Sequence, residues 1–102
     1  MNIDPSELQV TNNEEKKRFE VTVDGMTAVA KYIRAAKTRI VYTHTEVPDA
    51  LEGNGIGSKL ARTALEYARE NDLKVIPLCP YIAAYIRKHP EYRPLLQKGY
   101  NV

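Results

Sequence analysis

The chain reads as an α+β domain, a mostly antiparallel sheet with one parallel pair and helices packed on it. Three observations predict this. Phe19, Val21 and Val23 alternate with Arg18, Glu20 and Thr22, the period-two pattern of strands with one face buried. A glycine-rich loop, Gly53-Asn54-Gly55-Ile56-Gly57, runs directly into a stretch of helical period. A short apolar run, Leu73 to Leu78, follows that helix, and a strand that returns through a helix lies parallel to the one before it.

The elements can be justified in order. Met1 to Glu15 is mostly polar; Leu8-Gln9-Val10 is expected as a short strand and Asn12-Asn13-Glu14-Glu15 as a turn. After the alternating strand, Asp24-Gly25 supplies a two-residue hairpin turn, and the return strand runs from Met26 to Arg34. Ala35-Ala36-Lys37 turns again into Thr38 to Val47, rich in β-branched residues. From about Gly55 to Asn71, Ile56, Leu60, Ala64 and Ala68 recur every fourth residue, with Ala61 and Leu65 widening the stripe, and Asn71-Asp72 stops the helix. Pro80 suits the first turn of a second helix, Pro80 to Lys88, which His89-Pro90 breaks; a last short helix is expected over Glu91 to Lys98.

Composition bounds the function. At 102 residues the chain is expected to form one domain, 43% hydrophobic and 27% charged, as in ordinary globular proteins. A net charge of +2 argues against nucleic acid, with Lys16-Lys17-Arg18 read as a solvated strand entry. No apolar run approaches the ~20 residues of a spanning helix, and no signal peptide is read at the N-terminus, so no membrane role is expected. The single cysteine, Cys79, excludes an internal disulfide framework and agrees with a cytoplasmic location.

The glycine loop is the chemical centre of the sequence. Glycines let the backbone approach a ligand closely, and the helix behind them offers unpaired N–H groups and the positive end of its dipole, so a phosphate is the expected guest. The P-loop pattern fails, because Ser58 precedes Lys59 and Leu60 follows it. The dinucleotide fingerprint fails at Ser58, where a third glycine is required.

A third pattern fits. The run Val47-Pro48 through Leu51-Glu52-Gly53-Asn54-Gly55-Ile56-Gly57-Ser58-Lys59-Leu60 resembles the acyl-CoA pyrophosphate loop of the GNAT superfamily of N-acetyltransferases. That motif is a glutamine or arginine followed, three residues on, by glycine and then by a second small residue. Gly55 and Gly57 match it, and Glu52 departs from it at the first position. His44-Thr45-Glu46-Val47-Pro48, Pro77-Leu78-Cys79-Pro80-Tyr81, Tyr85-Ile86 and His89-Pro90-Glu91-Tyr92 extend the likeness over about Phe19 to Leu96, to a short single-domain GNAT-like family.

The resemblance implies a GNAT-like fold in which the strand before the loop and the strand after its helix splay apart to admit acetyl-CoA. Backbone groups of Thr45, Glu46 and Val47 would meet the pantetheine, and Asn54, Gly55, Ile56, Gly57 and Ser58 the phosphates, with Lys59 as an assisting cation. The thioester would point towards Leu78 and Cys79. Transfer to an amine needs a proton acceptor and a way to stabilise the leaving thiolate. His44 and Glu46, two apart on one strand, share a face and are candidate bases. Cys79, at the expected N-cap of the second helix, is a nucleophile, a wall of the thioester pocket or a small core residue. Tyr85 is the candidate general acid, with Tyr81 its competitor on the same helix. Val10 and Lys17 are too close together for the helices that wall the acceptor side of larger GNAT enzymes, so an open acceptor side and a bulky amine, such as one on a protein, are expected. The competing expectations are a catalytically silent acyl-CoA sensor, and an interaction domain that has lost the cofactor through Glu52.

Overall fold

The computed structural model describes Asp4 and residues 7–102. Five strands lie in sequence order across one sheet: β1 Thr11–Asn13, β2 Arg18–Val23, β3 Met26–Ala35, β4 Arg39–Glu46 and β5 Lys74–Pro77. The first four pair antiparallel and β5 joins β4 in parallel, with the α1 helix Ile56–Glu70 as the crossover. The α2 helix Pro80–Lys88 and a 3₁₀ segment Pro90–Leu95 complete the chain.

Local chemistry accounts for the boundaries. Asp24 (φ 50°) and Gly25 (φ 77°) are both left-handed, as a tight hairpin requires. α1 ends in a Schellman arrangement: Asp72 adopts φ 54°, Leu73 N–H donates to Ala68 O (2.9 Å), and Asn71 Nδ2 donates to Tyr67 O (2.8 Å). Cys79 is the N-cap of α2 and Pro80 opens its first turn.

Two expectations at the chain ends need correction. The first strand is Thr11–Asn13, overlapping the Asn12–Glu15 stretch expected as a turn, and not Leu8–Val10. Its asparagines find partners there: Tyr32 Oη donates to Asn12 Oδ1 (2.7 Å) and Asn13 Nδ2 donates to Glu20 Oε1 (3.2 Å), while Leu8 and Val10 pack on the core from outside the sheet. The last helix is the 3₁₀ stretch Pro90–Leu95, not Glu91–Lys98. Pro94 lacks the N–H that an α-helix needs, and Leu96 and Gln97 instead add to the edge of β5, Gln97 N–H donating to Val75 O (2.9 Å).

The core lies on one side of the sheet. Phe19, Val21, Ala28, Ala30, Tyr32, Ile40, Tyr42 and Val75 face Leu60, Ala61, Ala64 and Leu65 of α1 and Ile82 and Ile86 of α2. Tyr42 sits at its centre and donates its phenolic hydrogen to the Ala64 carbonyl. On the other face, β2 to β4 carry Arg18, Glu20, Thr22, Thr27, Lys31, Ile33, Val41 and Thr43, all partly or fully exposed, with only Val29 buried. Ile33 is 52% exposed.

Candidate active site at the split between two strands

A break in pairing creates the site. The β4–β5 ladder runs from Arg39↔Lys74 to Tyr42↔Pro77 and stops, because β5 ends in a residue with no N–H while β4 continues to Glu46. Leu78 turns away, and Cys79 N–H makes the last link to β4 by donating to Tyr42 O (2.8 Å). The strands therefore part just beyond Tyr42.

A β-bulge orients the free end of β4. Tyr32 pairs with Tyr42 and Lys31 with His44, so Thr43 has no partner in β3 and the side-chain alternation shifts by one. Thr45, opposite buried Ala30, consequently joins the helix-covered face with Tyr42. His44 and Glu46, opposite Lys31 and Val29, project from the open face. They are 57% and 65% exposed, with His44 Nε2 3.9 Å from Glu46 Oε2.

On the helix side, the Thr45 hydroxyl lies 3.3 Å from Cys79 Sγ. Cys79 is only 1% exposed, so the contact forms the floor of the split. Among the described residues, that sulfur makes no hydrogen bond or ion pair to an acid or a base.

The loop after β4 delivers α1 to the same place. A 3₁₀ turn at Asp49–Leu51 buries Leu51, and Asn54 Nδ2 ties the turn down by donating to Leu51 O (3.1 Å) and Glu52 O (3.2 Å). Gly53 and Gly55, at φ 81° and 77°, supply the left-handed turns that lead into the helix. Gly55 caps α1, no side chain bonds its first turn, and no acidic residue lies there, so the first N–H groups and the dipole face outward. A Cβ on Gly57 would lie 2.6 Å from Tyr81 Oη, which places that tyrosine across bare backbone; Ser58 Oγ is 3.5 Å from the same hydroxyl. The N-termini of α1 and α2 thus stand about a tyrosine's length apart.

This places the sequence-predicted residues. Thr45 and Cys79 meet at the split on the helix side, Val47 packs on the core, Gly57 and Ser58 lie against Tyr81, and Gly55, Ser58 and Lys59 line a cavity on α1, whereas His44 and Glu46 lie on the opposite face of the sheet. Tyr85 is set apart from Cys79, with its ring stacked on His89 at 4.1 Å and tilted against Tyr92 at 6.1 Å. Burial raises its phenol above the ordinary value. Tyr81, 43% exposed, is the tyrosine in contact with the start of α1. Two features escaped the sequence: the bulge at Thr43, which has no local signature, and a cavity of about 740 Å³ that begins at Gly55 and Ser58 and runs along the outer flank of α1 past Lys59 and Arg62. Outward positions at helical spacing from the glycine loop were the available signal for Arg62.

A family model described as GCN5-related N-acetyl-transferase matches residues 18–95, from the first residue of β2 to the end of the last 3₁₀ segment. The chain belongs to this family. Similar proteins include "Protein NATD1" of Xenopus tropicalis, 36% identical over 91 residues, covering 86% of this chain and 84% of the relative. "Protein NATD1" of Gallus gallus is 38% identical over 85 residues, covering 81% and 77%, and that of Homo sapiens 36% identical over 85, covering 81% and 75%. The N-acetyltransferase family match spans every element that builds the split and the glycine loop. No helix among the described residues is long and apolar enough to cross a membrane, and none of their His, Cys, Asp and Glu groups forms a cluster that could hold a metal.

Proposed function

We propose that this protein binds acetyl-CoA between β4 and β5 and transfers its acetyl group to an amine, the acceptor being a bulky one such as a protein amine. The observation that carries the reading is the coincidence of the interrupted β4–β5 ladder with a glycine-capped, uncapped-by-side-chain helix N-terminus. The residues fit the cofactor, since the first turn of α1 has no side-chain cap and no acidic residue, and the left-handed Gly53 and Gly55 lead the backbone into it. Backbone N–H groups of Gly55, Ile56, Gly57 and Ser58, with Asn54 shaping the loop and Lys59 beside it, would hold the diphosphate. Main-chain groups of Thr45, Glu46 and Val47 would hold the pantetheine arm.

Acetyl-CoA supplies an activated thioester; the protein supplies position and proton handling. The Cys79–Thr45 contact supports Cys79 as pocket wall more than as nucleophile, because a thiol 1% exposed presents little sulfur for attack. An amine approaching from the helix-free face would meet His44 or Glu46, either of which can take its proton. Tyr81, at the start of α1, is better placed than Tyr85 to donate a hydrogen bond near the cofactor. The reading implies action in the cytoplasm, where acyl-CoA is met.

One observation favours a second reading, acyl-CoA binding without turnover: the candidate bases and Cys79 lie on opposite faces of the sheet. Titration of acetyl-CoA into the protein, with Gly55→Asp as control, followed by a radiolabelled transfer assay against lysine peptides and polyamines, separates the possibilities. Binding lost in the control together with labelled amine supports the transferase, and binding without label supports the sensor. Absence of binding at millimolar ligand would overturn both.

A further inference from the structure

The geometry points to a second phosphate subsite on the flank of α1, formed by Lys59 and Arg62, that recognises the 3′-phosphate of coenzyme A. This inference rests on the glycine loop being the diphosphate site. The cavity of about 740 Å³ starts at Gly55 and Ser58 and continues past Lys59, Arg62 and Thr63. Arg62 lies four residues beyond Ser58, about 6 Å along the helix axis at 1.5 Å per residue. A ribose ring and one bond to its phosphate span a comparable distance.

Charge supports the placement. Arg18, Arg34, Arg69 and Arg93 are each held by hydrogen bonds or ion pairs. The side chains of Lys59 and Arg62, by contrast, form no hydrogen bond or ion pair with any described residue, and of the arginines without such a partner, Arg39 and Arg87 included, only Arg62 lines the cavity. Their nearest charges on the same wall are Glu66 and Glu70, one to two turns further on. Glu66 is already engaged, accepting from Tyr92 Oη (2.7 Å) and pairing with Arg69 Nη1 (3.2 Å). The wall is therefore cationic at the end nearest the helix N-terminus and anionic at the other, which confines an anion to the first two turns. A phosphate monoester carries close to two charges near neutral pH and offers the paired oxygens that a guanidinium bonds in fork geometry. Tyr85 forms part of the same cavity wall, within the electrostatic reach of Arg62.

The test is calorimetric titration of coenzyme A and of 3′-dephospho-coenzyme A into the full chain at physiological ionic strength, for the wild type, Arg62→Gln and Lys59→Gln. The expected result is a wild-type preference of about tenfold or more for coenzyme A, the size of one charge-assisted hydrogen bond. Arg62→Gln should erase most of that preference and leave dephospho-coenzyme A binding unchanged, whereas Lys59→Gln, beside the diphosphate as well, should weaken both ligands and coenzyme A the more. Equal wild-type affinities would overturn the subsite, as would an Arg62→Gln variant that weakens both ligands alike, which would indicate general attraction of anions. If neither ligand binds, the glycine-loop reading itself fails and takes the subsite with it. Thermal melts of both variants check that the exposed substitutions leave the fold intact.

Discussion

Gly57 and Tyr81 meet at the start of α1, so a single methyl group tests the site. Gly57→Ala gains helix propensity worth at most about 1 kcal/mol and displaces a partly exposed ring that can swing aside. Unfolding free energy should therefore change by less than about 1 kcal/mol, while acetyl-CoA affinity falls about tenfold, because the methyl and the displaced ring stand where the diphosphate would meet the backbone N–H groups. Urea melts and calorimetry on the same variant would check both halves; unchanged affinity would refute the placement of the diphosphate. Tyr92 carries a pH effect. Burial, then its hydrogen bond to Glu66, pushes the phenol up to about 12 from 10.0. A phenol whose pKa is higher when folded retains its proton better in the native state, so its stabilisation is complete below about pH 10 and is lost as pH rises towards about 12. Denaturation between those values should show a shallower alkaline loss for Tyr92→Phe than for the wild type. Identical slopes would mean that the Glu66 contact does not hold the proton.

The elements differ in how far local sequence determined them. The Asp24-Gly25 hairpin and the α1 stripe were legible because their signals are local: two left-handed residues in one case, a four-residue recurrence in the other. Thr11–Asn13 was not, since asparagine disfavours strands and only partners twenty and seven residues away, Tyr32 and Glu20, make it one. The Pro90–Leu95 segment replaces the expected Glu91–Lys98 helix because Pro94, inside it, lacks the N–H that an α-helix needs. The loop before α1 offers a prediction at this scale. Asn54→Ala removes both side-chain bonds that brace the 3₁₀ turn, with an expected loss of about 1 kcal/mol and a larger effect on ligand binding than on melting temperature. Equal binding by Asn54→Ala and wild type would show that the glycines alone shape the loop.

At the scale of the molecule, the sheet is covered on one face and open on the other. Ile33 on the open face and Ile40 on the covered face test this directly. Ile40→Ala should cost about 2–5 kcal/mol, as for other buried aliphatic truncations. Ile33→Ser should change stability by no more than about 0.5 kcal/mol, unless a partner covers that face. Chemical denaturation of the two variants would reveal a hidden core on the open side if their losses were alike. The sequence by itself determined the order of strands and helices, the glycine loop and its resemblance to an acyl-CoA site, because alternation, helical period and turn residues act within a few positions. Only the tertiary structure decided which face each candidate occupies. The bulge at Thr43 depends on register with β3, and it sends Thr45 towards Cys79 and His44 and Glu46 to the other side. The tyrosine over Gly57 and the cavity that Arg62 lines are likewise products of packing between segments distant in sequence. No local periodicity encodes such contacts, since each requires two elements to be positioned by the shared core.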